Sequence, residues 1–204
     1  MFTRMLERPR SLLEVCRTSL RKYRGASDYR RWKGCSGLSA DWDSRTEQIA
    51  RLIPQRTSVL EFGAGRMVLR KFLPEGCTYT PSDLVDRGAG TLVCDLNARE
   101  LPEFPPHDVA VFSGVLEYVN DVPHLVSHLS RRVGMIIASY AATDEHSVIK
   151  ERRSSGWVND YSSNGLQEVF SAAGFRLDQI ATWRSQRIYR FIRGFRALEP
   201  SFVS

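Results

Sequence analysis

The stretch Val59-Leu60-Glu61-Phe62-Gly63-Ala64-Gly65-Arg66-Met67 decides how the rest of the chain is read. Val59, Leu60 and Phe62 suit a buried strand, and Glu61 is the one charge within it. Gly63 and Gly65 break that strand in a Gly-x-Gly turn, where the backbone is free to take positive φ. Residues 67–73 follow as a short helix. The pattern predicts an acid and a bare backbone turn side by side at the end of a strand.

Outward from this turn, apolar runs and helical spacing alternate. Residues 78–84 read as a second strand ending near Asp83, and residues 91–94 as a third ending at Asp95. A fourth covers 108–112 (Asp-Val-Ala-Val-Phe) and runs into Ser113-Gly114. A helix fits 122–131, and the strongly apolar 133–139 is a fifth strand. Ser162 or Ser163 starts a helix through Leu166, Val169, Phe170 and Ala173, which Gly174 closes. Residues 175–180 and 187–192 remain as two further strands. Such alternation predicts an α/β fold, a mostly parallel sheet with helices on both faces. Ligands of such sheets sit beyond the C-terminal strand ends, where Glu61, Asp83, Asp95 and Ser113 fall.

The 204 residues suit one ordinary domain, and 42% hydrophobic content supports a folded core. The net charge of +6 is unevenly spread, with Arg4, Arg8, Arg10, Arg17, Arg21, Lys22, Arg24, Arg30, Arg31 and Lys33 crowding the first segment. A basic arm of this kind meets phosphates or an anionic membrane surface, or is simply a solvated helix face. Residues 3–24 are helix-compatible and 25–40 read as a loop. Asp43 or Ser44 caps a helix through Ile49, Ala50, Leu52 and Ile53, with Glu47 completing a capping box with Ser44. The chain is therefore divided into a basic helical extension (1–42), a main domain (43–194) and a short tail (195–204). No apolar run approaches the ~20 residues of a membrane span. Cys16, Cys35, Cys77 and Cys94 form no Cys-x-x-Cys pair, which points to reduced thiols in a cytoplasm rather than a zinc site or disulfides.

Two cofactors compete for the turn. A dinucleotide site wants a third glycine at position 68, which is Val68 here. S-adenosylmethionine lacks a pyrophosphate and presents an ammonium, a carboxylate, a sulfonium, a ribose and an adenine. Glu61 near the ammonium, Gly63-Ala64-Gly65 along the amino-acid part and Asp83 on the ribose diol are placed to supply its site. Asp95 is placed to reach the adenine edge.

The order Val-Leu-Glu-Phe-Gly-Ala-Gly, Pro-Ser-Asp, Val-Cys-Asp-Leu-Asn and Asp-Val-Ala-Val-Phe-Ser-Gly-Val-Leu-Glu-Tyr-Val resembles the class I S-adenosylmethionine-dependent methyltransferases. It is most similar to small bacterial methyltransferase-11 or -12 domains, over roughly residues 45 to 192. Ala-Ala-Gly-Phe at 172–175 is similar to the turn before that family's sixth strand. The resemblance implies a three-layer, Rossmann-like sandwich with a seven-stranded sheet of order 3-2-1-4-5-7-6, its last strand antiparallel. It implies cofactor contacts from Glu61, Gly63, Ala64, Gly65, Arg66, Asp83, Leu84, Asp95, Leu96 and Ser113. Two positions depart from the family pattern. Met67 stands where glycine is usual and could pack on the cofactor or block it. Arg66 stands where a small or polar residue is usual, and pairs either with the cofactor carboxylate or with Glu61.

The function expected is methyl transfer to the oxygen or nitrogen of a small-molecule or glycan-like acceptor. Candidates for acid–base work are Glu117, Tyr118, His146 and Asp160, with Asp144 also in reach of the strand ends, and none stands out. Asp144, Glu145 and His146 are adjacent in sequence and converge poorly on one ion, so no metal is expected. The rival reading, from Arg66, Met67 and the missing base, is a catalytically degenerate methyltransferase fold used as a binding or scaffold module. A nucleic-acid acceptor is disfavoured, because Ser113-Gly114-Val115-Leu116 replaces the Asn/Asp-Pro-Pro-Tyr/Phe motif of such enzymes. The partners expected are a small-molecule or saccharide acceptor, with room for a homodimer.

Overall fold

The computed structural model describes residues 12–34, 37–88 and 90–194. Residues 3–11 of the expected first helix, Cys35 and the tail 195–204 lie outside the described residues. Seven strands form: β1 Ser58–Phe62, β2 Thr78–Asp83, β3 Leu92–Val93, β4 His107–Ser113, β5 Val133–Tyr140, β6 Phe175–Trp183 and β7 Gln186–Arg193. They make one sheet in the order β3-β2-β1-β4-β5-β7-β6. The five strands from β3 to β5 pair in parallel, and β7 runs antiparallel to both β5 and β6. Among the described residues six α-helices accompany them: α1 Leu12–Arg24, α2 Tyr29–Trp32, α3 Asp43–Ala50, α4 Val122–Leu129, α5 Ile149–Ser154 and α6 Ser163–Ala172.

The two-residue period of the strands sorts their side chains into two cores. Leu60, Phe62, Ala110, Phe112, Ile136, Ala138 and Tyr140 face one way, against Leu125 and Leu129 of α4 and Leu166 and Phe170 of α6. Val59, Val109, Val111 and Ile137 face the other way, against Ile49 and Ala50 of α3, Leu69 and Trp183. Burial on both faces explains why β1 and β4 read as near-continuous apolar runs. Asp121 caps α4 by accepting from the His124 N–H at 2.9 Å, and Ser162 caps α6 by accepting from the Gly165 N–H at 3.0 Å.

Four local readings are corrected. The Ser44–Glu47 capping box does not form. The Ser44 hydroxyl instead accepts from Trp183 Nε1 at 3.0 Å, and Glu47 takes Arg51 at 2.7 Å. Within the expected loop 25–40, Asp28 accepts from the Arg31 N–H and nucleates α2. The segment after β5, where no element is expected from the sequence before residue 162, contains α5. The helix expected at 67–73 is a 3-10 turn, Val68–Lys71.

Met67 is the residue before that turn, with φ 55° and ψ 38°, the left-handed region. The glycine usual at this position thus has a physical reason, and an L side chain there costs on the order of 1 kcal/mol. Met67→Gly is expected to keep or raise the urea midpoint although it removes a half-buried side chain. Met67→Val puts a β-branched residue in the same region and is expected to cost about 1–2 kcal/mol by the same measurement.

Candidate active site

The glycine turn after β1 is fixed from beneath by Asp83 at the end of β2. The Gly65 N–H donates to Asp83 Oδ2 at 2.8 Å, and the Ala64 N–H donates to the Ser82 carbonyl at 3.0 Å. Asp83 Oδ1 accepts from Arg87 at 3.2 Å, and Arg87 also donates to the carbonyls of Trp32 and Lys33. One buried carboxylate therefore ties β1, β2 and the segment after α2 together. Gly63 has φ 65°, and a Cβ there would meet Val115 at 2.5 Å. The position admits glycine alone, both for its backbone angle and for the close approach of the 115 turn.

Above this platform is a cavity of about 260 Å³ at the C-terminal ends of β1, β2 and β4. Of the expected cofactor contacts, Glu61, Gly63, Ala64, Gly65, Arg66, Asp83, Leu84, Leu96 and Ser113 line it. Asp95 does not. Its carboxylate accepts from Ser27 at 2.5 Å, from Tyr29 at 3.3 Å and from the Asn97 N–H at 2.9 Å. It is a tether for the segment leading into α2, and Asn97 takes the place beside Leu96 in the cavity wall. Met67 is not among the lining residues, although Arg66 and Val68 on either side of it are. Arg66 pairs with Asp43 and donates to the Ser39 carbonyl at 3.2 Å, turned away from Glu61.

Glu61 is 3% exposed and accepts from the Tyr79 hydroxyl. Burial pushes its carboxyl up to about 8, with the Tyr79 hydrogen bond opposing and Asp83 adding to the rise. Ser82 Oγ is also buried, and among the described residues it has no hydrogen-bond partner.

The acid–base candidates separate cleanly by position. Glu117 and Tyr118 line the cavity, whereas His146 and Asp160 do not. Glu117 is 1% exposed; its Oε1 accepts from the Ala141 N–H at 2.9 Å. Its Oε2 is buried without a partner among the described residues. Burial raises its carboxyl above the usual range, against the pull of backbone N–H groups and of Arg45 and Arg152. Burial pushes the Tyr118 hydroxyl up to about 12, and its ring meets Trp32 edge-on at 4.9 Å. His146 lies 2.9 Å from the Ser185 carbonyl and edge-on to Trp157. Asp160 is held by Lys22 at 2.9 Å, Arg152 at 3.0 Å and Arg153. Burial raises the Asp160 carboxyl, but these hydrogen bonds and charges overcome it and hold it well below the usual range. Asp144 is spent on the start of α6, accepting from the Ser163 N–H at 2.6 Å, and Glu145 pairs with Arg187.

Two buried arginines were not visible in the sequence, Arg45 in the cavity wall and Arg152 outside it. Arg45 of α3 donates to the Ser113 carbonyl at 3.1 Å and to Gln186 at 2.9 Å, and its guanidinium lies 5.7 Å from the Trp42 ring centre. Arg152 is fully buried and donates to the carbonyls of Ala141 at 2.6 Å and Asn159 at 2.8 Å. Neither spacing nor composition marks them: Arg45 reaches acceptors 68 and 141 positions away, and Arg152 is buried by the turn of chain that brings Ala141 and Asn159 around it. Trp32, Trp42, Tyr118 and Trp157 give the cavity an aromatic wall.

A family model described as a methyltransferase domain matches residues 36–180. The chain belongs to this family, and its fold is the class I methyltransferase fold that the sequence resembles. No curated protein matches the chain significantly. Among solved structures, it is similar to CalO1, a methyltransferase of calicheamicin biosynthesis in its S-adenosylhomocysteine-bound form. The identity is 17% and the TM-score 0.61, over 78% of this chain and 56% of that one. It is also similar to 1,6-didemethyltoxoflavin-N1-methyltransferase of Burkholderia thailandensis, solved with 1,6-didemethyltoxoflavin and S-adenosylhomocysteine. There the identity is 15% and the TM-score 0.61, over 95% and 93% of the two chains. A third is the magnesium protoporphyrin IX methyltransferase of Synechocystis PCC 6803 with bound S-adenosylmethionine, at 15% identity and TM-score 0.55, over 95% and 100%. The chain thus spans little more than half of the first and nearly all of the other two. At these identities the likeness is one of fold.

Glu61 sets a pH dependence. The folded protein keeps a proton that the unfolded chain releases near 4.5. The stabilisation is complete below pH 4.5, declines as pH rises toward 8 and is gone above it, with a slope of at most about 1.4 kcal/mol per pH unit. Urea midpoints measured from pH 5 to 8 are expected to fall by this route. In Glu61→Gln the decline flattens; an unchanged decline would assign it to another group.

Proposed function

We propose that the protein transfers the methyl group of S-adenosylmethionine to a hydroxyl or amine of a small-molecule acceptor, saccharides included. The observation that carries this reading is a pair of buried oxygens without partners among the described residues, Ser82 Oγ and Glu117 Oε2, in residues lining the same cavity as the bare glycine turn. Buried polar atoms are almost always satisfied, so such a pair marks a place for a polar ligand. The donor set fits the cofactor. Gly63 and Gly65 leave backbone accessible for its amino-acid part. Asp83 keeps acceptor capacity for the ribose diol beyond the bonds it already makes, and Leu84 and Leu96 offer apolar surface to the adenine. The nearest charge to the ammonium is Glu61, whose ionised form a cation favours.

Bound there, the sulfonium supplies an electrophilic methyl group to a nucleophile approaching opposite the sulfur. The chain's own part is to align the acceptor and exclude water. Trp32, Trp42, Tyr118 and Trp157 give flat apolar faces suited to an aromatic or sugar ring. Glu117 is the acid–base residue of this reading. Its free Oε2 accepts the hydrogen of the acceptor, and its raised proton affinity makes it a stronger base than an exposed carboxylate. The neighbours solved with S-adenosylhomocysteine or S-adenosylmethionine, one with a heteroaromatic acceptor, support the same reading.

Calorimetry with S-adenosylhomocysteine is expected to give micromolar binding, weakened about tenfold or more in Asp83→Ala through loss of a charge-assisted hydrogen bond. Absence of heat with both S-adenosylhomocysteine and S-adenosylmethionine would overturn the proposal. Turnover, followed as S-adenosylhomocysteine release across phenolic, heteroaromatic amine and saccharide acceptors, is expected to drop on the order of a hundredfold in Glu117→Gln. Cofactor affinity stays unchanged in that variant. The wild-type rate rises with pH along a limb displaced above the ordinary carboxylate range, and that limb is absent from the variant.

A further inference from the structure

Helix α1 sits on the protein inside out. A surface helix ordinarily turns its apolar stripe to the core and its charges to solvent. In α1 the fully buried side chain is Thr18. Arg21 pairs with Asp28 at 2.9 Å, Lys22 with Asp160 at 2.9 Å, and Glu14 with Arg31 at 3.4 Å. The polar face is therefore the attached one. Leu12, Leu13, Leu20 and Tyr23 are exposed by 68%, 56%, 47% and 89%, and Cys16 is exposed with them. At 100° per residue these five share one arc of roughly 100°. No described residue covers them. Helix α5, on which α1 packs, begins at two more exposed apolar side chains, Val148 and Ile149.

Charge accompanies this apolar arc. The first 33 residues hold ten of the 29 Lys and Arg against three Asp and Glu, while the rest of the chain holds 19 against 20. The whole basic excess thus belongs to the segment that carries the stripe. On the helical wheel Arg17 and Arg24 border the arc.

We infer that α1 docks the protein on an anionic phospholipid surface, with its leucines and Tyr23 in the interface and Arg24, with the exposed Arg30, at the headgroups. No helix among the described residues is long and apolar enough to cross a membrane, so the contact is interfacial. Other occupants fit less well. A second copy, docked by symmetry, would set two strongly basic segments against each other. A nucleic acid would match the charge but leave three leucines in water. The surface is distinct from the cavity, and the inference stands apart from the methyl-transfer reading.

The test is co-sedimentation of the full chain with vesicles of equal parts phosphatidylglycerol and phosphatidylcholine, and with phosphatidylcholine alone. The wild type is expected to partition about tenfold or more in favour of the anionic vesicles, less so as salt rises. The triple variant Leu12→Ser, Leu20→Ser, Tyr23→Ser loses this partitioning while keeping its melting temperature, since all three side chains are exposed. Arg24→Ser with Arg30→Ser weakens binding to anionic vesicles specifically. The inference is overturned if the wild type ignores anionic vesicles or if the triple variant binds them equally. It is also overturned by a concentration-dependent dimer that the triple variant abolishes without any vesicle binding, or by retention of RNA in place of vesicles.

Discussion

The bond from the Gly65 N–H to Asp83 is the contact on which the ligand-facing edge of the sheet depends. A glycine turn has no side chains to hold its shape, so its backbone donors must find acceptors elsewhere. Asp83 supplies one from the neighbouring strand and is itself neutralised by Arg87, which in turn grips the carbonyls after α2. Three segments distant in sequence are thereby locked in one buried network. A network of this kind is costly when half satisfied and rigid when complete, which suits a platform that must present bare backbone in a fixed shape.

The fold was legible because its signals are local. The apolar runs around Glu61 and before Ser113 mark strands buried on both faces, and Ser162 and Gly174 mark the two ends of α6. The glycine turn was legible for the same reason, since few residues other than glycine take φ 65° against a neighbouring side chain. What escaped the sequence is non-local. Asp95 looks like any acid at a strand end, and only the position of Ser27, 68 residues earlier, turns it into a tether. Arg152 carries no motif, yet it is wholly buried against the carbonyls of Ala141 and Asn159. Ser44 and Glu47 have the spacing of a capping box, and a tryptophan from the far end of the chain took the serine first.

The basic N-terminal segment takes part in the cavity rather than only preceding it. Ser27, Asp28, Trp32, Leu38, Ser39 and Trp42 all line the space, and Trp32 braces Tyr118. Its attachment includes ionic and hydrogen-bonded contacts, from Ser27 and Tyr29 to Asp95, from Lys22 to Asp160 and from Arg31 to the Ser155 carbonyl. Contacts of this type weaken with salt, unlike the apolar packing of the sheet.

Arg45 has a consequence for how the protein comes into being. Its side chain is buried from the start of α3, yet one of its acceptors, Gln186, is 141 positions further along the chain. A nascent polypeptide that has emerged as far as β5 holds a guanidinium still short of that acceptor. The back wall of the cavity closes only when the last hairpin adds to the sheet, a long-range step that follows local helix and turn formation. A chain truncated before β7 lacks both the sheet's antiparallel strand and the acceptor that Arg45 awaits.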